Sequence, residues 1–585
     1  MTNGWMYFID FEQFGIKDDG TDATSTTNGF VAAFKRAVEL GHSAVYVPEG
    51  TYLIDAVGVG DYLPEYGGGL QFPSNIEVIL HEKALFKVQP NDSTGYACFN
   101  LEGVENVTIR GGHIVGDRYE HNYRQDVNEN RRTHEWGFGI QVRGSKNVTI
   151  ENVTIEDCTG DNIWVTSKGM MNWPGVYIPS ESVTIRKCRT FRGRRNNIAA
   201  GASVGLLIDD CDIIEAGGDE IGPQLGIDLE GYADNSIKYQ HPYEINVINC
   251  RFKDNGRGSM NINVSGKVNA IGNFCDDYIG YGFSTDVTIS NNVITNETGV
   301  HKKFGIDSIR KSTSETANRA VITGNVIRGF QTGIAARGKT VTVSNNILED
   351  ISSIGIYPYL CDQAMVSSNI IDSDCLHIWV RESKDIKVSD NKGIGAANNV
   401  SIKVDASKEV LLSDNEFSGK GGVRVSRSTN VRIVDNDIDL IGSDYGIYFD
   451  KQSEVHLRDN LVKNAAFTAI MGYADQYSSY IKGNIIQDCK YMIAMHIDGG
   501  SKHMIKDNDI TFRRGSNAGY GVYLIGANDS RLHNNDIRVM DGFGLINSFY
   551  TIQSTNTKLI GNTYDTGEMK TNDTDFLRYN EKLPK

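Results

Sequence analysis

The sequence predicts an all-β fold, a single-stranded right-handed parallel β-helix with a short N-terminal helical cap. A motif of alternating apolar residues, an asparagine and an apolar pair recurs along the chain, and between Asn325 and Asn562 its asparagines lie 21 to 27 residues apart. The chain also has 62 glycines but only 10 prolines among 585 residues, where about 7% and about 5% are usual. Abundant glycine with little proline is typical of tightly turning strands, because proline cannot donate to a ladder of backbone hydrogen bonds.

The period of the motif decides between repeat architectures. Helical repeats are longer, about 33–47 residues, and the leucine-rich-repeat frame LxxLxL is absent. Each repeat is therefore interpreted as one coil of three short strands, with coils stacked at about 4.8 Å. We expect the asparagines to form a ladder of side-chain amides between coils. They are Asn292, Asn325, Asn346, Asn369, Asn391, Asn415, Asn436, Asn460, Asn484, Asn508, Asn535 and Asn562.

Three regions are predicted along the chain. Residues 1–75 form an N-terminal cap segment, in which a helix over about 26–40 has its apolar residues on one face. Residues 76–565 form the β-helix, interrupted by a polar inserted loop at 116–136. Residues 566–585 lose the pattern and are expected to form a C-terminal tail or cap. A helix at the N-terminal end would cover exposed strand edges.

Charge and cysteine content exclude several classes of protein. The net charge of −16 argues against a nucleic-acid partner, because an acidic surface repels phosphates. No apolar run approaches the length of a membrane-spanning helix and the N-terminus lacks a secretory signal, so we expect no membrane partner. The protein would be made in the cytoplasm and then associate with a virion or be released by lysis. The nine cysteines include no CxxC pair, so neither a zinc site nor a disulfide framework is indicated.

Strand alternation identifies one outward strip of side chains. When one strand of each coil is aligned by its inward residue, for example Ile140, Ile163, Ile198, Ile227 or Met260, the next residue and the one two further on point outward. The outward residues of the upstream coils are polar, acidic and aromatic. This alignment uses Phe283 as the inward residue of a later coil, which places Asp286 on the strip.

Paired carboxylates on this strip indicate hydrolytic chemistry. Asp228 and Glu230 lie two residues apart on one strand face, about 6.6–7 Å between backbones, and Asp161 lies in a turn two rungs earlier. Glycoside hydrolysis needs one protonated acid and one base or nucleophile, about 5–5.5 Å apart for retention and about 6.5–9.5 Å apart for inversion. Crowding of like charges would raise one pKa and supply the acid. Asp228, Glu230 and Asp161 are therefore the catalytic candidates, with the stereochemical outcome open.

The substrate-binding candidates are polar, charged and aromatic residues of the strip and of the loop 116–136. The loop is a basic island that would fold over the groove and bind an anionic group, or else remain a solvated loop. Aromatic residues would stack on sugar rings or shield neighbouring coils. The candidates are Trp164, Gln141, Arg195, Asn197, Asn261, Asn263, Asp286, Asp307, His134, Trp136 and Arg118, with Trp379, Tyr357 and Tyr448 as further aromatic residues.

Several strings resemble a known superfamily. The stretch at 14–54, FGIKDDGTDATSTTNGFVAAFKRAVELGHSAVYVPEGTYLI, resembles the N-terminal segment of right-handed β-helix proteins of the pectate-lyase type. The strings GGHIVGDRYEH, EWGFGIQV, TGDNIWV, RRNNIAA and PQLGIDLEGY, between residues 111 and 232, resemble members found in bacterial and prophage genomes. The resemblance implies a carbohydrate-active protein like a phage or prophage tailspike or appendage depolymerase. The NTD, GHG and RIK series of polygalacturonases is absent, so pectin is not implied.

The leading functional prediction is a polysaccharide-degrading glycoside hydrolase of phage or prophage type, which acts on a bacterial surface or extracellular glycan and needs no cofactor. The first alternative is a polysaccharide lyase in the same groove. Its base would be Arg195, Arg257 or His241, and the acidic cluster would then hold Ca²⁺. The second alternative is a virion spike or adhesin that binds glycan without cleaving it. The partner is a polysaccharide in each case, and a homotrimer stays open.

Overall fold

Parallel strands dominate the computed structural model, which describes residues 5–57, 68–169, 177–218, 221–231, 240–308, 319–395, 400–441, 445–450, 452–474, 477–540 and 544–584, without the side chains of 490–492 and 513–518. The strands pair in three stacks, here named A, B and C, and each coil adds one strand to each stack. This confirms the predicted parallel β-helix. Contacts between Cα atoms divide the chain into unit 1, residues 1–295 and 307–318, and unit 2, residues 296–306 and 319–585.

Unit 1 contains the N-terminal coils. Its stack A consists of Met6–Phe8, Ala44–Val47, Ile76–Leu80, Glu105–Arg110, Lys146–Glu151, Ser180–Arg186, Ser203–Val204, Leu207–Asp209, Tyr243–Ile248, Gly266–Ile271 and Thr285–Ser290. Stack B consists of Gly50–Ile54, Ala84–Val88, His113–Val115, Thr154–Glu156, Arg189–Phe191, Asp212–Ile214, Arg251–Lys253, Phe274–Cys275 and Val293–Thr295. Stack C consists of Leu70–Gln71, Gly95–Glu102, Trp136–Arg143, Ile163–Thr166, Ile198–Ala200, Ile227–Glu230, Met260–Asn263 and Ile279–Gly282.

Unit 2 repeats the same three stacks. Four long strands pass through corners and serve more than one stack: Val326–Ser344, Ile347–Ser367, Ile485–Asp498 and Asp509–Ile525. Stack A adds Arg319–Thr323, Lys384–Ser389, Lys408–Ser413, Thr429–Val434, Val455–Arg458, Tyr480–Lys482, Met504–Lys506, Arg531–His533, Lys558–Ile560 and Phe576–Arg578. Stack B adds Ile370–Asp372, Lys392–Ile394, Glu416–Gly419, Asp437–Leu440, Leu461–Lys463, Asp536–Val539, Thr563–Tyr564 and Glu581–Lys582. Stack C adds Leu376–Arg381, Val400–Asp405, Gly422–Ser426, Tyr445–Phe449, Thr468–Tyr473, Asn547–Ile552 and Glu568–Lys570. The strand Lys302–Ser308 contains the boundary between the units.

A ladder of buried asparagines runs through unit 2, as the repeat predicts. The Nδ2 atom of Asn436 donates to Oδ1 of Asn460 at 2.9 Å, and the backbone N–H of Asn436 donates to the same oxygen at 3.1 Å. The same pair of bonds links each asparagine to the next from Asn325 to Asn562. In unit 1, Asn273 bonds to Asn292 in the same way. The amides satisfy one another in the core, so their role is structural.

A helix precedes the first complete coils. It spans Ala23–Glu39 and buries Phe30 and Phe34. The Phe30 ring lies 5.0 Å from that of Tyr52 and the Phe34 ring 5.3 Å from that of Phe72. The helix predicted from the apolar pattern is present, and its role as a cap stays a prediction. A second, short helix spans Phe11–Phe14.

Strand pairing extends beyond the region 76–565 assigned to the β-helix. Met6–Phe8 already pairs with Ala44–Val47, and Phe576–Arg578 pairs with Lys558–Ile560. The sequence does not reveal this last strand by apolar alternation, because Phe576, Leu577 and Arg578 are all exposed. The nine cysteines are all buried and free, as expected for small apolar side chains. In the described part of the chain, no helix is long and apolar enough to cross a membrane.

Candidate active site

Outward side chains of stack C lie above one another in unit 1, as strand alternation predicts. The paired residues are Gln141 with Trp164, Trp164 with Ala199, Ala199 with Asp228, Asp228 with Asn261 and Glu230 with Asn263. Asp228 and Glu230 flank the inward Leu229, so their side chains leave the same face of the strand. The alignment therefore assigns the correct face to this part of the strip.

A cavity of about 340 Å³ lies along these rungs. Its lining residues are Trp136, Trp164, Thr166, Arg195, Ala199, Ala200, Gly201, Asp228, Glu230, Gly231, Asn263 and Val264. Ala199 separates Trp164 from Asp228 in the stack, and its small side chain leaves room between an aromatic wall and the carboxylates. We call this feature the acidic cavity. Stacking of the coils brings these residues together although they are widely separated in the sequence.

Asp228 is a buried acid. The residue is only 2% exposed, and its Oδ1 accepts a hydrogen bond of 2.9 Å from Nδ2 of Asn261. Burial, followed by the negative charge of Glu230, raises the pKa of Asp228 to about 7, although the bond from Asn261 and the charge of Arg195 oppose the shift. Glu230 is exposed. The two carboxyls on one strand therefore have different environments, one buried and one exposed.

Arg195 is held beside these acids by two further carboxylates. Its Nη1 lies 3.0 Å from Oδ2 of Asp161 and its Nε lies 3.2 Å from Oε2 of Glu135. Burial alone would lower the pKa of Arg195, but the charges of Asp161, Asp228 and Glu135 outweigh it and raise that pKa. The guanidinium is therefore a fixed cation in the acidic cavity.

Asp161 supports Arg195 and is not a wall of the acidic cavity. It is 1% exposed, and its Oδ1 accepts a hydrogen bond of 2.9 Å from the backbone N–H of Asn196. Burial raises its pKa, while Arg195 opposes that shift. Its carboxylate is engaged by Arg195 and the backbone, and its predicted catalytic role stays a prediction.

The loop 116–136 is exposed over much of its length but buries several of its basic residues, so it does not offer all of them to a ligand. Arg118 is buried, and its guanidinium donates to the backbone carbonyls of Arg192 at 2.7 Å and Gly217 at 2.6 Å. Nη1 of Arg194 donates to the carbonyl of Thr133 at 2.6 Å. Arg118 is thus an anchor of the loop, which corrects its assignment to substrate binding.

His134 belongs to the same packing. It is 0% exposed, its Nδ1 lies 2.9 Å from Nε2 of His121 and its Nε2 lies 2.9 Å from the carbonyl of Arg124. Nδ1 of His121 in turn lies 2.8 Å from Oδ2 of Asp117. Burial lowers the pKa of His134. His134 therefore orders the loop from within, and its predicted contact with substrate is corrected.

Two tryptophans form the aromatic wall of the acidic cavity. Trp136, at the end of the loop, and Trp164 have ring centroids 6.4 Å apart. Trp164 also stacks on Phe138 at 4.6 Å, and the Arg131 guanidinium lies 5.0 Å from the Trp136 ring. Both tryptophans line the acidic cavity, and their predicted contact with substrate stays a prediction.

The predicted polar contacts divide into two groups. Asn197 is fully buried, where its Nδ2 donates to the carbonyl of Ile214 at 2.8 Å and its Oδ1 accepts from Nδ2 of Asn162 at 2.8 Å. Gln141 is also fully buried and donates to Oδ1 of Asn100 at 3.0 Å. Asn197 is corrected to a core position, since an asparagine beside an outward strand is as readily a ladder residue. Gln141 lies on the outward face of stack C, between Asn100 and Trp164 of the neighbouring coils.

Asn261 and Asn263 remain suited to a ligand. Each has a buried side-chain carbonyl oxygen that accepts no hydrogen bond from any described residue. Asn263 lines the acidic cavity and Asn261 bonds to Asp228. Buried acceptors are normally satisfied, so both oxygens are available to hydroxyl groups of a bound molecule.

Asp286 is not on the strip. Met260 pairs with Ile279, so Ile279 and not Phe283 is the inward residue of that coil. Asp286 lies on Thr285–Ser290, a strand of stack A. The coil that runs from Met260 to Ile279 is shorter than the alignment assumes. Asp307 is not among the residues that line the acidic cavity; its charge and that of Asp228 both contribute to the raised pKa of Tyr278, after burial as the main cause.

The bases considered for a lyase differ in suitability. The raised pKa of Arg195 makes it a poor base. Burial lowers the pKa of His241, and its Cβ lies beside Gly231 of the acidic cavity. Arg257 is exposed and acts on the pKa of Tyr278. No group of three or more histidine, cysteine, aspartate or glutamate side chains able to hold a metal occurs among the described residues.

Glu135 was missed by sequence reasoning. Its contact with Arg195 joins two positions that lie on different coils, and no spacing rule predicts it. The signal that could have pointed to it is its place directly before Trp136, where the loop rejoins stack C.

Comparisons with known proteins identify a prophage-derived relative. The chain is 50% identical over 565 residues, 96% of each sequence, to the SPbeta prophage-derived uncharacterized protein YorA of Bacillus subtilis (strain 168). The chain belongs to the YorA family. A family model described as periplasmic copper-binding protein (NosD) also matches residues 337–514 and 421–583, in unit 2.

Solved structures resemble the chain more distantly. The N-terminal fragment of gene product 12 of bacteriophage phi29 is 14% identical, with 97% of this chain and 92% of that chain covered and a TM-score of 0.41. The tailspike protein gp49 of Acinetobacter baumannii bacteriophage Fri1, a capsular polysaccharide depolymerase, is 12% identical, with coverage of 68% and 64% and a TM-score of 0.41. At this level of similarity, no activity is transferred from either protein.

Proposed function

We propose that this member of the YorA family is a glycoside hydrolase that cleaves a bacterial surface or extracellular glycan in the acidic cavity. The observation that carries the proposal is the unequal pair Asp228 and Glu230 on one strand face. The pKa of Asp228 is raised to about 7, so this carboxyl retains a proton near neutral pH and can donate it to the leaving oxygen. Glu230, exposed at the cavity wall, acts as the base or nucleophile.

The remaining walls of the acidic cavity suit a sugar. Trp136 and Trp164 offer ring faces for stacking on pyranose C–H groups. The carbonyl oxygens of Asn261 and Asn263, which accept no hydrogen bond from the residues that the structure describes, accept hydroxyl protons of the sugar. Arg195 holds a positive charge near the reacting centre. The prophage-derived relative supports an association with a virion or release by lysis. The proposal also includes a homotrimeric assembly.

A lyase remains the second candidate because of one observation. Burial keeps His241 neutral beside Gly231, so it is able to take a proton from a uronate sugar, whose carboxylate Arg195 would neutralise. A lyase of this kind would use Arg195 as a cation and not as a base.

Product analysis on a panel of bacterial capsule, exopolysaccharide and cell-wall glycans tests the proposal. A hydrolase generates new reducing ends without ultraviolet absorbance, whereas a lyase generates an unsaturated, absorbing product. We expect Asp228→Asn and Glu230→Gln each to reduce kcat by a factor of about 10² to 10⁴, and the matched change Asp286→Asn on stack A to leave it unchanged. Binding without cleavage would support the adhesin instead, and full activity of both cavity variants would refute the site.

A further inference from the structure

Unit 2 carries a second outward surface on stack C, made of aromatic and basic side chains. We define it as the cation–aromatic track: Tyr357, Tyr359, Trp379, Arg381, Lys403 and Arg424. Tyr359 pairs with Arg381, Trp379 with Lys403 and Lys403 with Arg424. The track therefore crosses four successive rungs, at about 4.8 Å per rung.

The aromatic part of the track is a continuous surface. The rings of Tyr357 and Tyr359 stack with centroids 5.4 Å apart and planes 5° apart, and Tyr357 lies 5.1 Å from Trp379. All three are half-buried. Ring faces held in this way by their neighbours are preorganised to stack on flat or apolar faces of a ligand, because little side-chain freedom is lost on binding.

The basic part of the track lies on the same rings. Nζ of Lys403 is 4.3 Å from the Trp379 ring centroid, and the Arg381 guanidinium is 5.3 Å from that of Tyr359. Arg381 also pairs with Glu382 at 3.0 Å. Neither Lys403 nor Arg424 forms an ion pair with any residue in the described ranges. Two cations that form no ion pair within the described part of the chain are notable in a protein whose net charge is −16.

Two buried donors of the track lack acceptors. Nε1 of Trp379 and Nε of Arg381 are buried and make no hydrogen bond to any described residue. A buried donor that is left unsatisfied is costly. An oxygen of a bound molecule would satisfy each of them.

We propose that the cation–aromatic track binds an anionic glycan, through its carboxylate or phosphate groups and its pyranose faces. The aromatic rings stack on the sugar faces, and Lys403 and Arg424 pair with the anionic groups. The buried N–H groups of Trp379 and Arg381 donate hydrogen bonds to oxygens of the ligand. The identity of the ligand as a glycan rests on the proposed function, but binding here does not require cleavage in the acidic cavity. A nucleic acid fits less well, because its denser charge is repelled by the acidic protein.

Affinity electrophoresis of the full chain tests the proposal with four immobilised probes: polygalacturonate as the carboxylate polymer, wall teichoic acid as the phosphate polymer, dextran as the neutral glycan, and single-stranded poly-dT. We expect retention by at least one anionic glycan, weakened by added salt, and no retention by dextran. The double variant Lys403→Gln/Arg424→Gln should bind about tenfold more weakly. The control Lys387→Gln/Arg432→Gln removes the same charge from stack A and should bind like the wild type.

The outcomes separate this proposal from the proposed function. Asp228→Asn should be retained by the anionic glycan as strongly as the wild type. Loss of cleavage with unchanged retention would therefore support binding at the track independently of cleavage in the acidic cavity. Three results would each overturn the proposal: retention by dextran equal to that by the anionic glycans, stronger retention by poly-dT than by those glycans, or a stack A control that weakens binding as much as the track variant does. Circular dichroism of both double variants excludes unfolding as the cause, and the salt dependence of the wild type tests the charge contribution without any substitution.

Discussion

Nη1 of Arg195 lies 3.0 Å from Oδ2 of Asp161, and this ion pair fixes the only guanidinium that lines the acidic cavity among the described residues. The charge of Arg195 opposes the rise in the pKa of Asp228, whereas the charge of Asp161 adds to it. The charge of Asp161 thus offsets part of the effect that Arg195 has on the pKa of Asp228.

Asp161→Asn should change both the pH dependence and the stability. With one negative charge removed and Arg195 less fully paired, the pKa of Asp228 should fall below about 7. The pH at which cleavage declines should move down with it. Loss of one partner of a buried arginine should also reduce the free energy of unfolding, on the order of 3 kcal/mol. Rate measurements against pH with chemical denaturation check both effects, and an unshifted profile would show that Asp161 has only a structural role.

Trp136→Ala should weaken substrate binding with little effect on the chemical step. Trp136 lines the acidic cavity, and an exposed ring face is worth about 1 kcal/mol to a stacked ligand beyond its buried area. We expect KM to rise about tenfold and kcat to change less than twofold. Trp5→Ala, at an exposed tryptophan, is the matched control. A fall in kcat with KM unchanged would instead place Trp136 in the chemistry.

Asn436→Ala should destabilise unit 2. The change removes the bond to Asn460 and those to the carbonyls of Leu412 and Val434 at 3.0 Å each. It also leaves buried partners unsatisfied, so the free energy of unfolding should fall by about 3 kcal/mol or more. Gln452→Ala, at an exposed position of the same unit, should have little effect. Thermal unfolding followed by circular dichroism measures the difference, and equal melting temperatures would contradict the ladder's role.

Asp228→Asn should stabilise the protein at neutral pH although it slows cleavage. The folded-state pKa of about 7 lies above the unfolded value of 3.8, so folding opposes ionisation. The resulting loss of stability is absent below about pH 4 and grows as the pH rises to about 7, where it reaches about 4 kcal/mol. Asparagine keeps the acceptor for Asn261 without the charge. A higher melting temperature for the variant at pH 8, but equal values near pH 4, is the expected result, with Asp286→Asn as control.

The regular part of the fold and the two principal carboxylates could be predicted because strand alternation and the regular period of the repeat dictate register. Ile227 and Met260 are in register as the alignment assumes, and Asp228 and Glu230 follow from them. The prediction is wrong for Asp286 because one coil is shorter than the repeat suggests, which shifts the inward position from Phe283 to Ile279.

The contacts of the inserted loop could not be predicted in this way. Arg118 reaches a carbonyl 99 residues away, and no local pattern carries that information. A basic, polar composition looks the same whether a loop is packed or solvated. His134 shows the consequence, since a residue type common at binding sites is here enclosed by His121 and Arg124.

The pH dependence of kcat/KM on the cleaved glycan tests the central claim most directly. If Asp228 is the general acid, kcat/KM should fall about tenfold per pH unit above about 7, because Asp228 loses the proton that it donates. Asp286→Asn should reproduce this profile. A profile of the wild type that stays flat from pH 6 to about pH 9 would contradict the assignment of Asp228 as the acid.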